Sequence, residues 1–96
     1  MKADYDSQAD AISIERSQFD HFDDQEQVDE DFCTVGFAKG QPVKVALLGP
    51  AKHLDLLVLA ADRYGLDRQS LEAITRAALA VPDRVVELKV GAPLAA

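Results

Sequence analysis

The apolar periodicity of this chain changes at Gly49-Pro50, and that change restricts the fold more than any other feature. Before it, apolar residues alternate with polar ones, the period of a half-buried strand; after it they recur at three- and four-residue spacing, the period of an amphipathic helix. Lys2 to Asp6 alternates, with Ala3 and Tyr5 on one face. Ser7-Gln8-Ala9 interrupts, and Ala11 to Arg16 alternates again with Ile12 and Ile14 inward, so the two runs read as a hairpin. Phe32 to Ala38 is a further strand with Cys33, Val35 and Phe37 on one face. Lys39-Gly40-Gln41 turns it, and Val43 to Leu48 returns with Val43, Val45 and Leu47 aligned. Residues 17–31 hold few apolar anchors (Phe19, Phe22, Val28) and read as a long connection, with strand character only from near Gln27.

Past Gly49, Pro50 suits the first turn of a helix running from Ala51 to Tyr64. Leu54, Leu57, Val58 and Ala61 form one apolar stripe; Leu56, Leu59 and Ala60 add a second, so this helix is expected to be covered on two sides. Gly65 supplies a left-handed cap, and Asp67 caps the next helix with Leu66 and Leu71 as a staple around it. Leu71, Ile74, Ala77, Ala78 and Val81 form its buried stripe, and Pro82 stops it. Arg84 to Val90 alternates as a last strand, and residues 91–96 read as a frayed tail. The expectation for residues 1–96 is one α+β domain of order β-β-β-β-α-α-β: a mainly antiparallel sheet with both helices on one face. The two-sided helix around Leu56 and Leu59, together with free sheet edges, points to a homodimer.

The residues of the first half resemble a known family. Tyr5-Asp6, Asp10-Ala11, Ile12-x-Ile14, an acidic connection, Val35 to Ala38, Gly40 and Val43-Lys44-Val45 are similar to the bacterial domain of unknown function family 2283, over roughly residues 2–50. The resemblance implies a hairpin-opening fold and, for some members, a setting like that of antitoxins that cover small ribonuclease-type toxins. Residues 51–90, a helical hairpin and a final strand, extend beyond the family pattern.

Charge is distributed unevenly. The net charge is −7; residues 1–31 carry eleven acids against Lys2 and Arg16, a balance of −9, and the remainder is +2. Such acidity argues against nucleic acid and anionic membrane as partners, since both rest on phosphate attraction. It does not exclude a basic protein, which the acidic end would attract; the alternative is that the acidic stretch is only a solubilising loop. Asp20, Asp23, Asp24, Glu26, Asp29, Glu30 and Asp31 are the candidate partner-binding residues: seven carboxylates in twelve residues with no Lys or Arg among them. A calcium loop needs alternating oxygens and a central glycine, which this stretch lacks. No metal or other cofactor is expected.

Nothing in the pattern assembles a catalytic centre, and an enzyme is not expected. Asp6 and Asp10 suit a turn, His21 and His53 are far apart in sequence, and Cys33 reads as a small buried apolar side chain. The lone cysteine, the absence of a membrane-length apolar run and an N-terminus unlike a signal peptide make the cytoplasm the expected compartment. The alternative function is a dimeric DNA-binding regulator. Residues 57–78 place Ala61, Gly65, Leu66, Leu71 and Ile74 as a helix-turn-helix would, with Arg68, Gln69, Ser70 and Arg76 on the second helix. An ordinary αα-hairpin needs the same glycine and apolar stripe.

Overall fold

Alternation buries an apolar face only if neighbouring strands keep that face in register. In the computed structural model, which describes residues 1–16 and 21–88, they do. The elements are β1 (Lys2–Asp6), β2 (Ala11–Glu15), β3 (Asp24–Asp29), β4 (Cys33–Ala38), β5 (Gln41–Leu48), α1 (Leu54–Tyr64), α2 (Arg68–Ala80) and β6 (Val85–Glu87). The strands form one sheet in the order β3-β4-β5-β2-β1-β6, and every neighbouring pair is antiparallel. Ala3 lies opposite Ile14, Ile14 opposite Val45, and Val45 opposite Val35. One step along, Ile12 lies opposite Leu47 and Leu47 opposite Cys33. All of these side chains are buried.

Both helices cover this face. α1 packs over β3, β4 and β5, and α2 over β1, β2 and β6. Leu56, Leu57, Ala60 and Ala61 of α1 and Leu71, Ile74 and Ala78 of α2 close the core. The fold is therefore α+β, with the helices on one side of an antiparallel sheet. Thr75, fully buried in α2, satisfies its hydroxyl by donating to the Leu71 carbonyl at 2.7 Å, which removes the cost of an unpaired polar group.

Several local expectations are corrected. The connection expected over residues 17–31 contains a strand, β3, so the order is β-β-β-β-β-α-α-β. It lacks apolar alternation because it is an edge strand whose side chains, Val28 and Asp29 apart, lie in solvent. The helix expected from Ala51 starts at Leu54, because Gly49 to Lys52 form a turn in which Lys52 and His53 N–H both donate to the Gly49 carbonyl. Pro50 is buried in that turn and is not in a helix. α1 has one buried face, since Leu56, Leu57, Ala60 and Ala61 point inward together while Leu54 and Leu59 stay exposed. Leu56 thus serves the core of its own chain. In α2, Ala77 is half-buried and Val81 exposed.

Other expectations hold. Gly65 caps α1 in the left-handed region, with φ 66°. Leu66 and Leu71 are both buried around the start of α2. Asp67 is the N-cap residue there, but its carboxylate accepts from the Ser70 hydroxyl at 2.7 Å and makes no bond to a backbone N–H. Residues 85–87 return to the sheet beside β1, with Val86 opposite Ala3 and packed on the core together with Leu88. The expected last residues of that strand, 89–90, and the tail 91–96 lie outside the described residues.

Ile14 is the centre of this layer, fully buried and flanked across the strands by Ala3 and Val45. Ile14→Ala is expected to cost about 2–5 kcal/mol, a large share of the roughly 5–15 kcal/mol that holds a small domain together. A shift of the urea midpoint at unchanged slope measures it, and a variant within a few tenths of a kcal/mol of the parent would show that the layer is not the core.

Candidate functional site

Of the acidic stretch, Asp20 lies outside the described residues. The other six carboxylates follow the β3 edge and the turn into β4. Asp29 closes the turn between the strands: its Oδ1 accepts from the N–H groups of Asp31 and Phe32 at 3.0 and 3.1 Å, the usual aspartate turn geometry. Asp24 Oδ1 accepts from the Gln25 N–H at 2.8 Å, and Asp23 Oδ2 from the Lys39 N–H at 3.4 Å. Glu30 and Asp31 stand exposed at the tip.

α1 holds this edge in place. Tyr64 packs edge-on against Phe37, with ring centroids 5.4 Å apart, and its hydroxyl donates to Glu26 Oε1 at 3.1 Å. Arg63 Nη1 donates to the Gln27 carbonyl at 3.5 Å. Among the described residues the ion pairs are Lys2–Glu15 and Arg68–Glu72, and neither involves this edge. No group of three or more His, Cys, Asp or Glu side chains among the described residues is arranged to hold a metal ion.

The tip leads into an aromatic contact that the sequence reading did not single out. Phe32 stacks on His53, with ring centroids 4.2 Å apart and planes 28° from parallel. His53 Nδ1 lies 3.0 Å from the Leu48 carbonyl, an acceptor only, so the N–H of the ring is on Nδ1. Gly49 is needed beside it: at φ 58°, a Cβ there would lie 2.9 Å from His53 Nδ1. A signal for this site was present in the alternation. If Cys33 and Leu47 point inward, their neighbours Phe32 and Leu48 point outward, and two large apolar residues on an outward face are unusual.

Asp6, Asp10 and His21 do not converge. Asp6 Oδ1 accepts from the Gln8 and Ala9 N–H groups within its own turn, as expected of a turn aspartate. Asp10 Oδ1 accepts from the Tyr5 hydroxyl at 2.6 Å, and this bond raises the tyrosine above its ordinary pKa. His21 is at the other end of the strands, two residues before Asp23, whose N–H donates to the Phe37 carbonyl. The first hairpin also holds the segment before β6: Asp83 accepts from the Ser7 hydroxyl and N–H at 2.6 and 2.9 Å, which lowers its pKa. A depression of about 340 Å³ lies here, lined by Asp4, Tyr5, Asp6, Ser7, Gln8 and Asp83.

The face of the sheet away from the helices carries small residues, Ser13, Thr34 and Ala46, in one cross-strand row. Phe22 lies over Gly36, where a Cβ would meet its Cγ at 3.2 Å, and Lys44 Nζ sits 5.6 Å from the Phe22 ring centroid. On the helical side, residues 57–78 form an αα-hairpin whose second helix lays its apolar stripe on the sheet. Arg68 is engaged by Glu72 at 2.8 Å, Ser70 is buried, and Gln69 and Arg76 are exposed. Comparison with known proteins gives no match to a family model, a curated protein or a solved structure. The likeness of the first hairpin to family 2283 therefore rests on its own residues.

Cys33, paired across the β3–β4 ladder with Asp29, turns its side chain into the core. Burial first, and the Asp29 carboxylate second, push its thiol from 9.0 up to about 11, with Arg63 opposing weakly. Only the thiolate attacks a disulfide reagent and the side chain is buried, so at pH 8 the folded protein is expected to react at least about tenfold more slowly than in urea. Equal rates in the two states would mean that Cys33 is open to solvent.

Proposed function

We propose that this chain is a non-catalytic cytoplasmic binding module that meets a basic protein surface through the β3–β4 hairpin. The observation that carries the reading is the placement of Asp23, Asp24, Glu26, Asp29, Glu30 and Asp31 along one exposed sheet edge, held there by Tyr64, Arg63 and the Asp29 turn. Carboxylates on an edge strand discourage unspecific strand pairing. Their summed field also speeds encounter with a cationic partner, an effect that salt screens. An antitoxin-like role, covering a small basic toxin, is the setting that the family likeness implies.

Neutralising the edge tests this. The variant Asp24→Asn, Glu26→Gln, Asp29→Asn, Glu30→Gln, Asp31→Asn removes five charges yet keeps the acceptor oxygens that the Asp31, Phe32 and Tyr64 donors use. Exposed charge pairs contribute roughly 0.2–1 kcal/mol each, so a native partner captured by the parent protein is expected to bind the variant at least about tenfold more weakly. The loss should shrink in high salt. Equal binding by the neutralised variant would leave the acids only a solubilising role.

Assembly as a homodimer belongs to the same proposal. Its support is the pair of sheet edges, β3 and β6, and the exposed Leu54 and Leu59 on α1; Leu56 no longer contributes. β6 is the better candidate edge, because it is short, lacks the carboxylate run of β3 and presents Val85 at 66% exposure. Light scattering at tens of micromolar is expected to give twice the 10.4 kDa chain mass, and a monomer mass removes the dimer.

A further inference from the structure

Where β4 begins and β5 ends, two apolar side chains face solvent side by side. Cys33 is opposite Leu47, and the Leu48 N–H donates to the Phe32 carbonyl at 2.8 Å, so Phe32 and Leu48 are cross-strand neighbours. They are 39% and 43% exposed. Phe32 is pinned on one side by the His53 ring, and that ring is itself fixed by the Leu48 carbonyl. A contact made on Phe32 would therefore cost little further side-chain ordering.

The charged groups at this end of the sheet are mostly carboxylates. Glu30 and Asp31 directly precede Phe32. Asp6 lies opposite Ala11, which lies opposite Leu48, and Asp10 accepts the Gly49 N–H on its carbonyl. Lys52, in the turn before α1, and Arg84, beside Tyr5 just before β6, are bases at this end. An apolar pair whose nearest charged neighbours along the chain, Glu30 and Asp31, are acids is complementary to a cationic segment that carries an apolar side chain.

We propose that Phe32 and Leu48, backed by His53, anchor one aliphatic side chain of a partner segment whose flanking Lys or Arg residues meet Glu30, Asp31, Asp6 and Asp10. The inference rests on the acidic-hairpin reading above and adds to it the place and chemistry of the short-range contact. A second copy of the chain does not fit this patch, because a two-fold contact would bring the same acidic rims together. The Phe22 end of the open face is a weaker site, since Phe22 already lies on Gly36 with Lys44 near its ring.

Two short synthetic peptides of equal lysine content, one with a central leucine pair and one with serines instead, separate charge from anchoring. In amide chemical-shift titrations by NMR, the leucine peptide is expected to bind about tenfold more tightly, roughly the gain from burying one aliphatic side chain. Its largest shifts should fall at Phe32, Leu48 and His53. Phe32→Ser and, separately, Leu48→Ser are expected to bring the two peptides to equal, weaker affinity. If the parent protein binds both peptides equally, or the shifts gather elsewhere, the anchor is overturned and the acidic reading survives. If neither peptide binds, both fail.

Discussion

The turn at Gly49 is the constraint on which the rest of the molecule depends. Its N–H donates to the Asp10 carbonyl at 2.7 Å, tying the end of β5 to the start of β2 at the middle of the sheet. Its carbonyl receives the N–H groups of Lys52 and His53, which turns the chain back and starts α1 over the apolar face. The positive φ disfavours a side chain at this position, and a Cβ there would push against the His53 ring. One residue thus sets a strand end, a helix start and the ring on which Phe32 rests.

The acidic edge shows how one set of side chains can serve structure and surface together. One oxygen of Asp29 shapes the β3–β4 turn by accepting two backbone N–H groups, at the same tip where Glu30 and Asp31 stand exposed. The contacts from Tyr64 and Arg63 join β3 to α1 through the Glu26 side chain and the Gln27 carbonyl. They give an otherwise polar edge strand a fixed position that few apolar anchors could supply. Val28 and Phe37 add the apolar share of that contact.

The two faces of the sheet are built on different terms. One is closed by helices and packed with Ile, Val and Leu. The other carries small and polar residues in its central row, with Phe22 at one end of the β4–β5 pair and Phe32 beside Leu48 at the other. Antiparallel sheets commonly have this asymmetry, since hairpins leave one face uncovered. The outward aromatic residues are where this chain departs from a plain solvated face.

Much of this was legible in the residues themselves. Alternation in Ala11 to Arg16 and Val43 to Leu48 specified which side chains enter the core, because a period of two leaves one choice of face once Ile12, Ile14, Val45 and Leu47 must be buried. Gly65 specified a helix end, since few other residues accept its φ. The acidic stretch was visible as charge, but β3 only from near Gln27, because an edge strand needs no apolar alternation and takes its order from β4 and α1. The inward face of α1 was equally undecided: Leu54, Leu57 and Leu59 can all belong to helical stripes, and only the sheet beneath selected Leu56, Leu57, Ala60 and Ala61. Strand pairing between distant segments, and the stacking of Phe32 on His53, are contacts across long stretches of chain. Local pattern carries the propensity of a segment; which segments meet is decided by the burial that the whole fold makes possible.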